Sequence, residues 1–79
     1  MNQENMRKVI DLQGYQCPFT FVLTKTYLEE MDSGILEVIV DYLPSVDNVP
    51  KSVMAQNLGK IISVECIEGN KYKITIQKS

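Results

Sequence analysis

The sequence predicts an α+β two-layer sandwich, βαβαββ, with a four-stranded mixed sheet carrying two helices on one face. Two observations predict it. Two β-prone segments are each followed by a stretch whose apolar residues recur at helical spacing, and the C-terminal "KIISVECIEGNKYKITIQK" holds two alternating segments around a turn. Two crossovers of the usual right hand put both helices on the same side of the sheet. No repeat, linker or low-complexity tract interrupts the 79 residues, so a single domain over residues 1–79 is expected.

The first strand is "KVIDL", Lys8 to Leu12, ending at the turn signal "QG". Pro18 suits the first helical position, where a missing N–H costs nothing, and this makes Cys17 the N-cap of a helix running to about Asp32. Phe21, Leu28 and Met31, broadened by Val22, Leu23 and Tyr27, form its inward stripe, and Ser33 and Gly34 end it. "ILEVIVD" alternates, so Leu36, Val38 and Val40 share one face of a second strand. Pro44 is expected to break the chain. The second helix then starts late, capped by Asp47 or Asn48 with Pro50 in its first turn, Val49 and Val53 inward, and Gly59 closing it.

In the hairpin, Ile62, Val64 and Cys66 share one parity, and Tyr72, Ile74 and Ile76 form the inward parity of the last strand. Cys66 is therefore a core residue. The same parity assigns Val9, Ile35, Ile39, Ile61 and Ile67 to the uncovered sheet face, either as a docking or self-association surface or as branched residues chosen for β-propensity.

Composition excludes several functions. A net charge of −2 and a pI near 4.9 provide no field to gather nucleic-acid phosphates. No apolar run is long enough to span a bilayer, and "MNQENMRK" has no signal-peptide apolar segment, so a cytoplasmic protein is expected. With two cysteines and no histidine, one chain assembles neither a closed zinc site nor Cys/His catalysis, and no CxxC pair supports a dithiol cycle. No metal or cofactor is expected.

What remains is a lone thiol at a helix start. An N-cap side chain accepts hydrogen bonds from the first-turn N–H groups, and the helix dipole adds positive potential there. A cysteine so placed has its pKa lowered from about 8.5 and is more nucleophilic at neutral pH. N-caps prefer Ser, Thr, Asp and Asn, so a cysteine at this position points to sulfur chemistry. A thiolate attacks a sulfur–sulfur bond without a general base, and the simplest chemistry for Cys17 is to take up a sulfur atom and hand it on. Two other readings fit the same residues: a noncatalytic binding or regulatory module in which Cys17 is only a turn residue, and a single-cysteine redox sensor ending in sulfenate or a mixed disulfide.

"DLQGYQCP", then Lys25, Leu28, "GILEVIVD" and "DNVP", resembles the TusA/SirA-like (YedF-like) family of small sulfur carriers, whose pattern is Asp-Leu-x-Gly-x-x-Cys-Pro-x-Pro, Lys, Leu, Gly, an apolar strand ending in Asp, and Asp-Ile-Pro. The resemblance covers nearly the whole chain. It implies a sandwich like the C-terminal domain of translation initiation factor three and a persulfide carried on Cys17. The implied partners are a cysteine desulfurase or other sulfane-sulfur donor, a downstream acceptor protein, and in some relatives a membrane sulfur-compound transporter.

Around Cys17 the supporting residues are Pro18, Phe19, Thr20, Gly14 and Asp11. Asp11 and Gly14 shape the strand-to-helix turn, and Phe19 is either an exposed partner contact, the favoured reading, or a core residue. Thr20 stands where the family has its second proline; it restores an N–H and adds a hydroxyl able to reach sulfur. Lys25 is about 12 Å along the helix from residue 17 at 1.5 Å per residue, a docking charge or a solvated-face residue rather than a base.

Overall fold

The computed structural model describes residues 7–16 and 19–78. Within them the chain runs β1 (Arg7–Asp11), α1 (Phe19–Glu30), β2 (Gly34–Val40), α2 (Leu43–Ala55), β3 (Lys60–Glu68) and β4 (Lys71–Lys78), the predicted βαβαββ order. The sheet order is β1-β2-β4-β3, with β1 parallel to β2 and β4 antiparallel to both β2 and β3. β2 and β3 are therefore parallel to each other across β4, and each helix connects two parallel strands. Among the described residues no helix is long and apolar enough to cross a membrane.

β2 sets the core. Its burial alternates residue by residue, and Leu36, Val38 and Val40 are fully enclosed. The register extends this parity into its neighbours, so that Ile10, Val38 and Ile74 form one inward row and Leu36 stands beside Ile76. Leu28 and Met31 of α1 and its end, with Val49 and Val53 of α2, close the layer. Each such side chain, once buried, stabilises the fold by about 1.5–3 kcal/mol relative to exposure.

α1 packs through a more polar stripe than the apolar spacing predicted. Its buried residues are Thr20, Thr24 and Leu28, while Phe21, Leu23 and Tyr27 flank the core and Val22 is half exposed. Threonine is tolerated there because Thr24 Oγ1 donates to Thr20 O at 2.7 Å and Thr20 Oγ1 lies 2.7 Å from Ser45 Oγ, so the stripe's hydroxyls are satisfied within the protein.

α2 begins earlier than expected. Pro44 lies in its first turn, where no N–H is needed, Tyr42 is the N-cap without a side-chain cap bond, and Pro50 falls inside the helix. An interior proline removes one helical hydrogen bond at a cost of about 3 kcal/mol, which here is offset by the full burial of Val49 and Val53 on either side. The helix ends in a Schellman motif: Leu58 N bonds Val53 O at 3.0 Å, Asn57 N bonds Met54 O at 3.2 Å, and Asn57 takes the left-handed φ of 54°. Gly59 is not the left-handed residue. It is small because a Cβ there would stand 2.8 Å from Gln77 O on β4.

β3 corrects the predicted parity. A bulge between Ile61 and Ser63 shifts the register, so that Ile61, opposite Ile76, packs against the core and Ile62 is 52% exposed. Val64 and Cys66 keep the helix-side parity but lie on the sheet edge beyond the helices' cover, and Cys66 is exposed rather than core. The open face accordingly loses Ile61. It carries Val9, Ile35 and Ile39 around Glu37, which pairs with Arg7 and, at 4.0 Å, with Lys73.

Candidate functional site

Because β1 and β2 are parallel, their C-terminal ends lie side by side, and both helices start at that end of the sheet. The segment leading into α1 is tied down residue by residue. Leu12 N bonds Ile39 O at 2.7 Å and extends the β1–β2 ladder by one residue. Tyr15 N then bonds Leu12 O at 3.2 Å, closing a tight turn with Gly14 at its third position and φ +90°. Glycine is the residue that reaches this conformation without strain.

Two carboxylates hold the turn. Asp11 Oδ1 accepts the Gln13 backbone N–H at 3.0 Å, and both carboxylate oxygens accept from Gln13 Nε2 at 2.9 and 3.0 Å. The Gln13 backbone N–H, then its side-chain amide, and more weakly the charge of Lys71 hold the Asp11 carboxyl below its usual value, against a small opposing effect of desolvation. Asp41, just past β2, accepts the Gly14 N–H at 2.9 Å. The last atom of this relay is Gln16 O, which accepts from Phe19 N at 2.7 Å and Thr20 N at 3.3 Å and so starts α1.

The first acceptor of α1 is thus the Gln16 carbonyl, one residue before the expected cap. The Phe19 and Thr20 amides assigned to sulfur end on that carbonyl. Cys17 and Pro18, the centre of the expected site, lie outside the described residues. They are bracketed by exposed Tyr15 and Gln16 on one side and by Phe19, 61% exposed, on the other, which fits a surface role for Phe19. Asp11 and Gly14 both lie in the turn. Thr20, expected to offer a hydroxyl able to reach sulfur, has a fully buried side chain with its hydroxyl on Ser45 at the start of α2, so the two helix starts are joined. Lys25 is half-buried farther along α1.

Three contributors were not singled out from sequence. Asp41 stands 27 residues from Gly14, a pairing that depends on parallel strand register. Its one sequence signal was an aspartate ending the apolar run "ILEVIVD". Ser45 carries no distinguishing pattern, and Gln16 acts through its backbone, which side-chain patterns do not reveal. Among the described residues no three His, Cys, Asp or Glu side chains are grouped to hold a metal ion.

The described residues form a two-layer α+β sandwich in which a turn held by Asp11 and Asp41 leads into α1. The family model of Sulfurtransferase TusA matches residues 8–78, and the chain belongs to this family. Relatives named "Putative sulfur carrier protein" occur in Archaeoglobus fulgidus, 46% identical over 77 residues that cover 96% of this chain and 86% of that one, and in Thermotoga maritima, 34% identical with 98% of each chain covered. The fold matches the crystal structure of a SirA-like protein from Desulfitobacterium hafniense with a TM-score of 0.79 at 24% identity, covering 89% of this chain and 95% of that one.

Proposed function

We propose that the chain, read as one carrier domain in the cytoplasm, is a sulfur-relay protein that holds sulfane sulfur as a persulfide on Cys17. The carrying observation is the turn from Leu12 to Gln16, fixed by Asp11 and Asp41, which delivers the chain to the start of α1 beside exposed Phe19. A rigid turn feeding a helix start is the setting in which a thiol is kept partly ionised and within reach of a partner protein.

The relay conserves atoms and electrons. The Cys17 thiolate attacks the terminal sulfur of a donor persulfide, the donor's sulfur–sulfur bond breaks, and the donor leaves as a thiolate while Cys17 becomes a persulfide. An acceptor nucleophile then attacks the terminal sulfur and Cys17 leaves as the thiolate, restored for another round. No step needs a general base, a metal or an external oxidant. Donors of this chemistry are cysteine desulfurases and other sulfane-sulfur proteins, the acceptor is a downstream protein nucleophile, and a membrane sulfur-compound transporter is a further proposed partner.

Pro18 follows the cysteine in the motif and belongs to the same proposed site, Asp11 and Gly14 hold the turn, and Thr20 braces the first turn of α1 against α2. Phe19 and Lys25 contact partners. Incubation with a persulfidated donor, followed by intact-protein mass spectrometry, is expected to give a gain of about 32 Da that Cys17→Ser abolishes and that a thiol reductant removes, the latter separating one added sulfur from the two oxygens of a sulfinic acid. Failure of several donors to load the folded protein would refute the relay, and oxygen adducts without sulfur would establish a redox sensor in its place.

A further inference from the structure

The β3 edge is the least protected part of the sheet. β3 is the longer of the two edge strands, nine residues against five in β1, and it exposes Ile62, Val64 and Ile67 at 52%, 40% and 42%. An edge with unpaired backbone groups and apolar side chains is a template for another strand. We infer that its occupant is β3 of a second copy, paired antiparallel about a two-fold axis at Val64 to make one eight-stranded sheet.

Register selects this pairing. The partners on β4 place Lys60, Ser63, Glu65 and Glu68 on the open face, and Ile61, Val64 and Cys66 on the helix face. Opposed residues in an antiparallel pair must share a face. An axis at Val64 sets Val64 against its own copy on the helix face. On the open face it sets Ser63 against Glu65 and Lys60 against Glu68, bringing opposite charges together twice by symmetry. Moving the axis to Glu65 also preserves the faces between residues 64 and 66, but stacks Glu65 on Glu65 of the other copy. An axis midway between Val64 and Glu65 turns each helix-side residue against an open-face one.

The bulges between Ile61 and Ser63 and between Cys66 and Glu68 lie on either side of Val64, so an axis there sets the two irregular stretches against each other and keeps Lys60 opposite Glu68. Because each chain has one such edge, assembly by this route stops at two. The resulting order β1-β2-β4-β3 against β3-β4-β2-β1 leaves both β1–α1 turns at the outer ends. Pairing and partner docking at those turns do not compete. Glu68 already lies 3.8 Å from Lys71 of its own hairpin, with its side chain 76% exposed, so it remains available to a second cation.

Sedimentation from about 1 µM to about 1 mM is expected to show concentration-dependent growth from the 9.0 kDa chain to twice that mass. Glu68→Lys should weaken association about tenfold, and Lys60→Glu combined with it should restore most of the loss. Register is read by disulfide trapping: in a Cys17→Ser, Cys66→Ser background, Val64→Cys places two sulfurs across the axis at a Cα spacing of about 4.5–5.5 Å, within disulfide range. Mild oxidation should then give a covalent dimer, whereas Cys66 in Cys17→Ser, displaced from its copy by about four residues, should give none. A monomer throughout the concentration range, trapping through Cys66 in place of Val64→Cys, or no rescue in the charge-reversed pair would each overturn the inference. Circular dichroism of each variant establishes that a loss of association is not a loss of folding.

Discussion

Replacing Gly14 by alanine isolates what the turn contributes. A Cβ at Gly14 would meet nothing within 4 Å, so no neighbour has to move. The whole cost is the strain of an L residue at φ +90°, about 1–2 kcal/mol. For a domain of this size that corresponds to a melting temperature lower by about 5–15 °C. In urea, with a slope near 1 kcal/mol per molar, it is a midpoint lower by about 1–2 M. Gly14→Asn should fall between, because asparagine tolerates positive φ better than alanine. Gly59→Ala is the contrasting control, since its Cβ would press on Gln77 O at 2.8 Å and its cost comes from displaced backbone. Urea denaturation of the three variants with an unchanged slope is the assay. A loss below about 0.3 kcal/mol for Gly14→Ala would refute the claim that a strained turn conformation is built into the entry to α1.

Asp41→Ala should cost about 1.5 kcal/mol by removing a charged acceptor from the Gly14 N–H, measured as a denaturant midpoint, and no change would mean that the turn holds itself. The Gln13 amides hold the Asp11 carboxyl below the ordinary aspartate value of about 3.9. Its contribution is therefore full above that value and lost as pH falls through the lower folded value. Asp11→Asn should flatten the stability-versus-pH curve below about pH 4, and an unaltered acid slope would contradict this. Thr20→Pro removes the N–H that bonds Gln16 O and the hydroxyl that meets Ser45. With that carbonyl less neutralised, the Cys17 pKa should rise, as read by pH-dependent alkylation; an unchanged or lower value would reject the link.

Much of the architecture was legible because period and punctuation agreed. Leu36, Val38 and Val40 alternate without interruption, and the structure buries all three. The "EGNK" hairpin turns on Gly69 at φ 54°, the first of two loop residues, where glycine is the natural choice. Gly14 was likewise visible as a turn residue. What failed to show depended on competition or distance. The sequence rule that proline disrupts a helix placed the start of α2 too late, because the burial of Val49 and Val53 outweighs the lost hydrogen bond at Pro50. One bulged residue at Ile62 moved Ile61 to the core side and left Ile62 exposed, and no local pattern announces a bulge. Cys66 kept the predicted parity and still lies exposed, since parity does not reveal where helix cover ends.

The candidate site divides in the same way. Asp11, Gly14 and the Cys-Pro step are contiguous, so the sequence displays them together. Asp41 and Ser45 reach the turn and α1 only once β1 and β2 pair in parallel and the two helix starts meet. Thr20 shows how such a contact changes a role: read from the sequence its hydroxyl is one able to reach sulfur, and in the fold it is a buried brace between helices.

The most direct measurement is the pH dependence of the alkylation rate of Cys17 in a Cys66→Ser protein. A thiolate stabilised at a helix start should show its half-maximal rate at least about one pH unit below 8.5, the value of an unperturbed cysteine. A midpoint at or above about 8.5, or a thiol that reacts only after the protein is unfolded, would contradict the account.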